Sequence, residues 1–306
     1  MNVHSRAILA CLLFTAGISG TGDGARTPVY GTPTVIAHLE NRDVNESSGI
    51  VASRRNPGLF WTHNDSGGAP LLYLFDRKGR GLGTWRVRGA TAMDWEDIAI
   101  GPGPVRGRSY LYIADIGDNR RSRREVVVFR VEEPAAGRPG TTSETQMSTA
   151  LRFRYPDAPH DAEALAVHPH TGDIYIIVKA SGEETRTSVY SARAPHRTGS
   201  VTILELLGDV NLPAESELVL LIGRATGADI SPDGRRVVIC DYLRAYEAVL
   251  PANTSFDAIW HQPFTALSLG PRKQGEAICY RLDGRALLAT SEGRPCPLIE
   301  TVRNAR

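Results

Sequence analysis

Short apolar runs, each closed by a turn rich in Gly, Asp or Pro, recur along most of the chain. No segment sustains a 3.6-residue apolar period beyond about two turns, so the pattern predicts strands and disfavours helices. Five times such a run is preceded by a polar stretch holding an acid or a hydroxyl. The copies are Glu46-Ser47-Ser48-Gly49-Ile50, Asp94-Trp95-Glu96-Asp97-Ile98, Asp161-Ala162-Glu163-Ala164-Leu165, Thr226-Gly227-Ala228-Asp229-Ile230 and Gln274-Gly275-Glu276-Ala277-Ile278. A turn then leads to a second strand, predicted at 59–62, 110–114, 174–178, 236–239 and 286–289. Gly and Asp in turns such as Thr171-Gly172-Asp173 and Pro232-Asp233-Gly234 supply the positive φ and local hydrogen bonds required there. Third strands are expected at 71–75, 126–131, 188–192, 245–250 and 297–302, and fainter fourth strands at 83–87, 150–155, 201–207 and 263–267.

A unit repeated every few tens of residues signals a solenoid, a propeller or an array. Residues 33–303 split five ways give about 54 residues per unit, slightly above the roughly 40–50 of common propeller repeats; the excess falls in loops 134–149 and 208–225. The fifth unit ends after its third strand, while an unassigned strand at 33–39 precedes the first. Pairing the two would close a ring and remove two exposed edges. The expected architecture is an all-β, five-bladed β-propeller, closed by its N-terminal strand in the last blade. A six-bladed ring stays open as an alternative, because 215–222 reads as a short extra element. Trp61, Trp85, Trp95 and Trp260 are expected to pack between blades.

Composition narrows the functional classes. The 306 residues are 42% hydrophobic and 23% charged, which suits one large domain, and the net charge of +1 offers no field to steer nucleic acid or an anionic membrane. Basic runs such as Arg120-Arg121 and Arg54-Arg55 read as solvated loops, and so does His168-Pro169-His170. The first 25 residues fit a secretory signal peptide cut near 19–25, leaving a single domain over 26–306 in a secreted or periplasmic, monomeric protein. Their apolar run is too short to span a bilayer. Beyond the leader the cysteines are Cys240, Cys279 and Cys296, which allow at most one internal bridge and lack the spacing of a zinc site.

Inner strands of a propeller line its central channel. Counting two positions back from each apolar anchor gives Ser48, Glu96, Glu163, Ala228 and Glu276, and two further back lie Glu46, Asp94, Asp161, Thr226 and Gln274. With side chains alternating at period two, each set is expected to share one orientation. Three converging glutamates repel one another unless a cation sits among them, and an all-oxygen donor set favours Ca²⁺, then Mg²⁺ or Mn²⁺. Channel acids that hydrogen-bond backbone amides are the structural alternative. Loops after the second strands open on the same face and carry His63, Asp65, Asp118, Lys179 and Arg244, a mixture suited to a polar ligand.

The motifs Glu46-Ser47-Ser48-Gly49-Ile50, Asp94-Trp95-Glu96-Asp97-Ile98 and Gly275-Glu276-Ala277-Ile278 resemble the strand-opening motifs of the bacterial SdiA-regulated propeller family and, more distantly, of the calcium-activated nucleotidases (apyrases). The segments 61–67 and 112–119 are similar to a widespread set of exported bacterial propellers. The apyrase resemblance implies a channel Ca²⁺ held by Ser48, Glu96, Glu163 and Glu276. Ala228 departs from that pattern, with Asp229 or Thr226 as the neighbouring oxygen.

The leading expectation is a binding or scaffold protein with a channel calcium site and a mouth for a small polar or phosphorylated ligand. The alternative is a calcium-dependent, phytase- or apyrase-like hydrolase of phosphoesters or phosphoanhydrides. Asp65 or Asp118 would then be the base, and Lys179 or Arg244 would stabilise developing charge beside His63. A protein partner bound on the blade rims is a third.

Overall fold

The computed structural model describes residues 29–65, 67–180, 187–213 and 224–304. Five sheets form the blades, each with four antiparallel strands that follow chain order from the channel outwards except for the outermost strand of blade five. Blade one runs Ser47–Ala52, Leu59–Asn64, Leu71–Asp76, Gly81–Arg88, and blade two Trp95–Pro102, Ser109–Asp115, Val126–Glu132, Thr149–Arg154. Blade three runs Ala162–Val167, Ile174–Val178, Thr187–Ala192, Glu205–Val210, and blade four Gly227–Ile230, Arg236–Cys240, Arg244–Val249, Thr265–Ser268. Blade five combines Gly275–Tyr280, Ala286–Ser291 and Pro297–Val302 with the N-terminal Thr34–His38, which pairs antiparallel to Pro297–Val302. The ring is a five-bladed β-propeller closed by its N-terminal strand, as the repeat predicts. The expected extra element at 215–222 lies outside the described residues.

Two outer strands depart from expectation. The stretch 134–149, read as a loop, contains Thr142–Met147, which adds in parallel to the outer strand of blade one. The single strand expected at 201–207 is two: Val201–Ile203 adds in parallel to blade two, and Glu205–Val210 completes blade three. Each added strand covers an edge whose amides and carbonyls would otherwise template foreign strands. It pairs through its backbone with little side-chain burial, so Thr-Ser-Glu-Thr-Gln-Met carries no hydrophobic alternation to betray it.

Five apolar clusters fill the five blade interfaces, because alternate residues of each inner strand face opposite neighbours. Ile98 and Ile100 join Trp61, Trp85 and Trp95 between blades one and two, whereas Ala99 turns to blade three. Trp260, on the 3-10 helix Phe256–His261, packs between blades three and four. His168 is buried against Phe256, ring centroids 4.5 Å apart, contrary to its reading as a solvated loop residue. Cys240, Cys279 and Cys296 are buried free thiols within these interfaces and form no bridge.

Candidate functional site

Four of the five inner strands begin with a β-bulge. Their pairing with the second strand skips one residue each: Ser48, Glu96, Glu163 and Glu276. A bulge leaves its extra residue unpaired and re-aims the side chain. In an unbroken strand Glu96 would share the face of Ile98 and enter the interface with blade one. Instead Trp95 and Ile98, three residues apart, both occupy that interface. Blade four pairs regularly, Gly227 with Cys240 and Ala228 with Ile239, and it is the blade with no oxygen at the matching position. Ser48 Oγ donates to the Glu96 carbonyl (2.6 Å), joining the first two bulges.

The bulges bring acids together under the mouth. Carboxylate oxygens of Asp65, Asp94 and Glu96 all lie within 4.8 Å of one another. Gly117 underlies Glu96 and Asp94, and a Cβ there would overlap Glu96 Oε1 and Asp94 Oδ2. Burial pushes the Glu96 carboxyl well up, and Glu163, Asp65, Asp94 and Asp161 add like-charge repulsion. Asp94 is raised by burial and then by Asp65 and Asp161.

Two further sectors complete the rim. Lys179 Nζ contacts Glu163 Oε1 and lies 5.4 Å from the centre of the Tyr242 ring. Burial and the neighbouring acids lift Glu163 even against this ammonium. Glu276 Oε1 accepts from Gln274 Nε2 (2.8 Å), while its buried Oε2 has no hydrogen-bond partner. Burial pushes Glu276 up to about 9, with Glu292 adding to the rise. Asp65, Asp94, Glu96, Asp161, Glu163, Glu276 and Glu292 thus interact through their charges, offset by Arg123 at Asp94, Lys179 at Glu163 and Lys273 at Glu292.

Other residues expected at this site are placed elsewhere or otherwise engaged. Asp229 accepts from the Ile230 amide at Oδ1 and the Tyr280 amide at Oδ2 (both 2.8 Å) and faces the Arg54 guanidinium. Arg54 donates to Ile100 O and Pro169 O at the far ends of two inner strands, so Asp229 sits deeper than the bulge acids. His63 lies in a strand, not a loop. It is fully buried behind Gly49 and edge-on to Trp95, 5.6 Å between centroids. Burial pulls its pKa down to about 4, so its ring is neutral. Asp118 accepts from the Arg123 amide (2.7 Å) and shapes the turn after the second strand of blade two. The Arg244 amide is held by Asp241 Oδ1 (2.7 Å) and its carbonyl accepts from Arg272 Nη2 (3.2 Å).

Sequence reasoning missed two residues that shape the channel. Asp97, fully buried, accepts from the Ile98 amide (2.8 Å) at Oδ1 and from the Leu165 (2.9 Å) and Ala228 (3.1 Å) amides at Oδ2, linking blades two, three and four. The repeated Asp-Ile pair, Asp97-Ile98 and Asp229-Ile230, was the signal. Arg123 pairs with Asp115 (2.9 Å) and donates to the Gly117 carbonyl (2.8 Å), bracing the backbone beneath the acids. Only its position among four arginines of one loop marked it.

No protein-family model matches the chain, and no curated protein matches it. Among solved structures, hydrazine synthase of Kuenenia stuttgartiensis aligns over 85% of this chain and 72% of its own, with a TM-score of 0.42 and 11% identity. The five-bladed assignment stands on the strand pairing itself. Among the described residues no helix is long and apolar enough to cross a membrane.

Proposed function

We propose that the protein is a binding protein that holds a hard divalent cation at its acidic mouth, calcium before magnesium or manganese, and takes a polar ligand over it. The observation carrying this reading is the convergence of the Asp65, Asp94 and Glu96 oxygens within 4.8 Å, pressed against a glycine backbone. Three carboxylates so close are mutually repulsive when ionised, and a divalent cation turns that repulsion into coordination. The donors fit the ion: all are oxygens, and Glu292, which feels the Asp65 charge, and Glu276 beside it extend the acidic rim around them. Lys179 already neutralises Glu163, so the ion belongs toward blades one and two, off the channel axis.

The motifs Glu46-Ser47-Ser48-Gly49-Ile50, Asp94-Trp95-Glu96-Asp97-Ile98 and Gly275-Glu276-Ala277-Ile278 carry the resemblance to SdiA-regulated propellers and calcium-activated nucleotidases, and the latter implies Ser48, Glu96, Glu163 and Glu276 as ligands of the ion. Hydrolysis is less well served than binding, since Asp118 is engaged by a turn amide and His63 is buried below the mouth. The leader-like residues 1–25 support a secreted or periplasmic location. The test is thermal unfolding of wild type and Glu96→Gln in EDTA and in millimolar Ca²⁺, with metal analysis. Calcium at about 100 times its dissociation constant should add about 2.7 kcal/mol to the wild type and nothing to the variant. An unmoved wild-type midpoint with no bound metal would reject the site.

A further inference from the structure

On the face opposite the acidic mouth, a cavity of about 350 Å³ lies between blades two and three. Its polar lining includes Arg130, Tyr112 and His196, and its apolar walls include Pro102, Pro104 and Pro195. Val126 and Val128 of one strand pack into the core between these blades. Arg130 follows at period two, so a cation stands where the apolar stripe would continue. It is only 8% exposed. It pairs in register with Tyr112, whose hydroxyl lies beside the guanidinium and donates to Pro102 O (2.5 Å).

Among the described residues no carboxylate forms an ion pair with Arg130. The larger neighbouring cavity differs, because its Arg55 and Arg108 both reach Glu132, at 3.6 and 2.7 Å. Burying a guanidinium without a counter-ion is unfavourable by several kcal/mol in general, and an anion in the cavity offsets that. Across from it, His196 Nε2 is buried without a hydrogen-bond partner, its ring edge-on to Tyr112 at 6.3 Å. The lining therefore offers a forked cationic donor on one side, the His196 ring facing it, and proline rings among the remaining walls. A single oxyanion leaves most of such a volume unfilled, whereas an organic body against the prolines completes it.

We propose that this cavity binds a small organic anion, a carboxylate or phosphomonoester on a compact apolar body, with Arg130 as the anchor and Tyr112 and His196 flanking it. The site is independent of the mouth. The test titrates full-length protein with phenyl phosphate, benzoate, inorganic phosphate and the neutral control benzamide by calorimetry, and follows the Arg130 guanidinium N–H signal by NMR. Phenyl phosphate or benzoate should bind the wild type, move that signal, and bind Arg130→Gln at least tenfold more weakly, with EDTA making no difference. Arg130→Lys should recover part of the loss. Binding of inorganic phosphate as tight as that of the organic anions would overturn the organic-ligand assignment. Absence of binding at millimolar probe, equal affinity in Arg130→Gln, or binding that leaves the Arg130 signal unmoved would overturn the site. The NMR readout needs no variant and so survives a misfolded substitution.

Discussion

Glu96 and Asp97 are neighbours on one strand, both buried acids in one channel, and the fold treats them in opposite ways. Asp97 accepts three backbone amides from three blades. Glu96, turned out by a bulge, meets Asp65 and Asp94 instead. Asp229 repeats the first pattern one level down, with amides on both oxygens, and Glu276 approaches the second, with one oxygen unpartnered. Residue type does not separate a structural acid from a ligand-binding one here. What separates them is whether the backbone already saturates the lone pairs. The amide-bound layer fastens inner strands to one another, and the bulge layer leaves acceptors for something else.

The comparison breaks most visibly at Asp97. Asparagine keeps its shape but turns an NH₂ toward amides that need an acceptor, leaving at least one buried N–H unsatisfied. Burial raises the Asp97 carboxyl well above its ordinary range, and leaving a buried donor unsatisfied costs roughly 1–3 kcal/mol. Asp97→Asn should therefore lose about 1–3 kcal/mol, read as a fall in the chemical-denaturation midpoint at unchanged slope, with or without calcium. Were Asp97→Asn as stable as wild type, the amide-bound layer would not be what fastens the blades.

Gly117→Ala acts on the other layer alone. The φ of Gly117 is not positive, so alanine is compatible with the backbone, yet its methyl would overlap Glu96 Oε1 and Asp94 Oδ2. The calcium-dependent rise of about 2.7 kcal/mol should vanish, while stability in EDTA changes by less than about 1 kcal/mol. A variant that keeps the full calcium response would move the ion away from Asp65, Asp94 and Glu96.

Glu163→Gln against Glu96→Gln separates the two candidate donor sets. An ion on the channel axis needs both glutamates, whereas an ion beside blades one and two needs Glu96 only, because Lys179 holds Glu163. The geometry predicts that Glu163→Gln lowers calcium affinity by less than about tenfold, 1.4 kcal/mol, and that Glu96→Gln abolishes it. Calorimetric titration of the two proteins decides between them.

The ring, its closure and the mouth-facing acids were legible because each repeat carries its own copy of the signal, and five weak copies reinforce one another. The reason those acids face inwards was not legible. Period-two counting places Glu96 with Ile98, and only the bulge, invisible in sequence, separates them. Glu163 with Lys179, and Asp65 with Glu96, meet because strand ends converge in space, which no spacing along the chain encodes. His63 was misplaced for a related reason. Gly49 opposite it has no Cβ, and the ring slides behind the inner strand instead of out into the loop.

The smallest effect is also the one that tests saturation without charge. His168 Nδ1 accepts from the His170 (3.3 Å) and Thr171 (3.1 Å) amides, a neutral counterpart of Asp97 on the far face. Burial holds its pKa below the ordinary 6.5, and the nearby His170 adds to the depression. Its contribution to stability is complete above about pH 6.5 and is lost as the pH falls, because the unfolded chain takes up the proton first. Glu276 has the opposite sign: raised to about 9, it releases its repulsion as the metal-free protein is acidified from pH 9 toward its ordinary 4.5, so stability rises. In EDTA the unfolding midpoint should climb from pH 9 to about 6.5, and below that the His168 loss should work against the continuing gain. Calcium should flatten the alkaline limb only, since coordination replaces protonation as the relief of the mouth. His168→Asn keeps an acceptor for the two amides and should lose less on the acid side, by about 1 kcal/mol or less. An acid limb identical in wild type and His168→Asn would assign that loss to other groups and leave amide saturation as a property of the carboxylates alone.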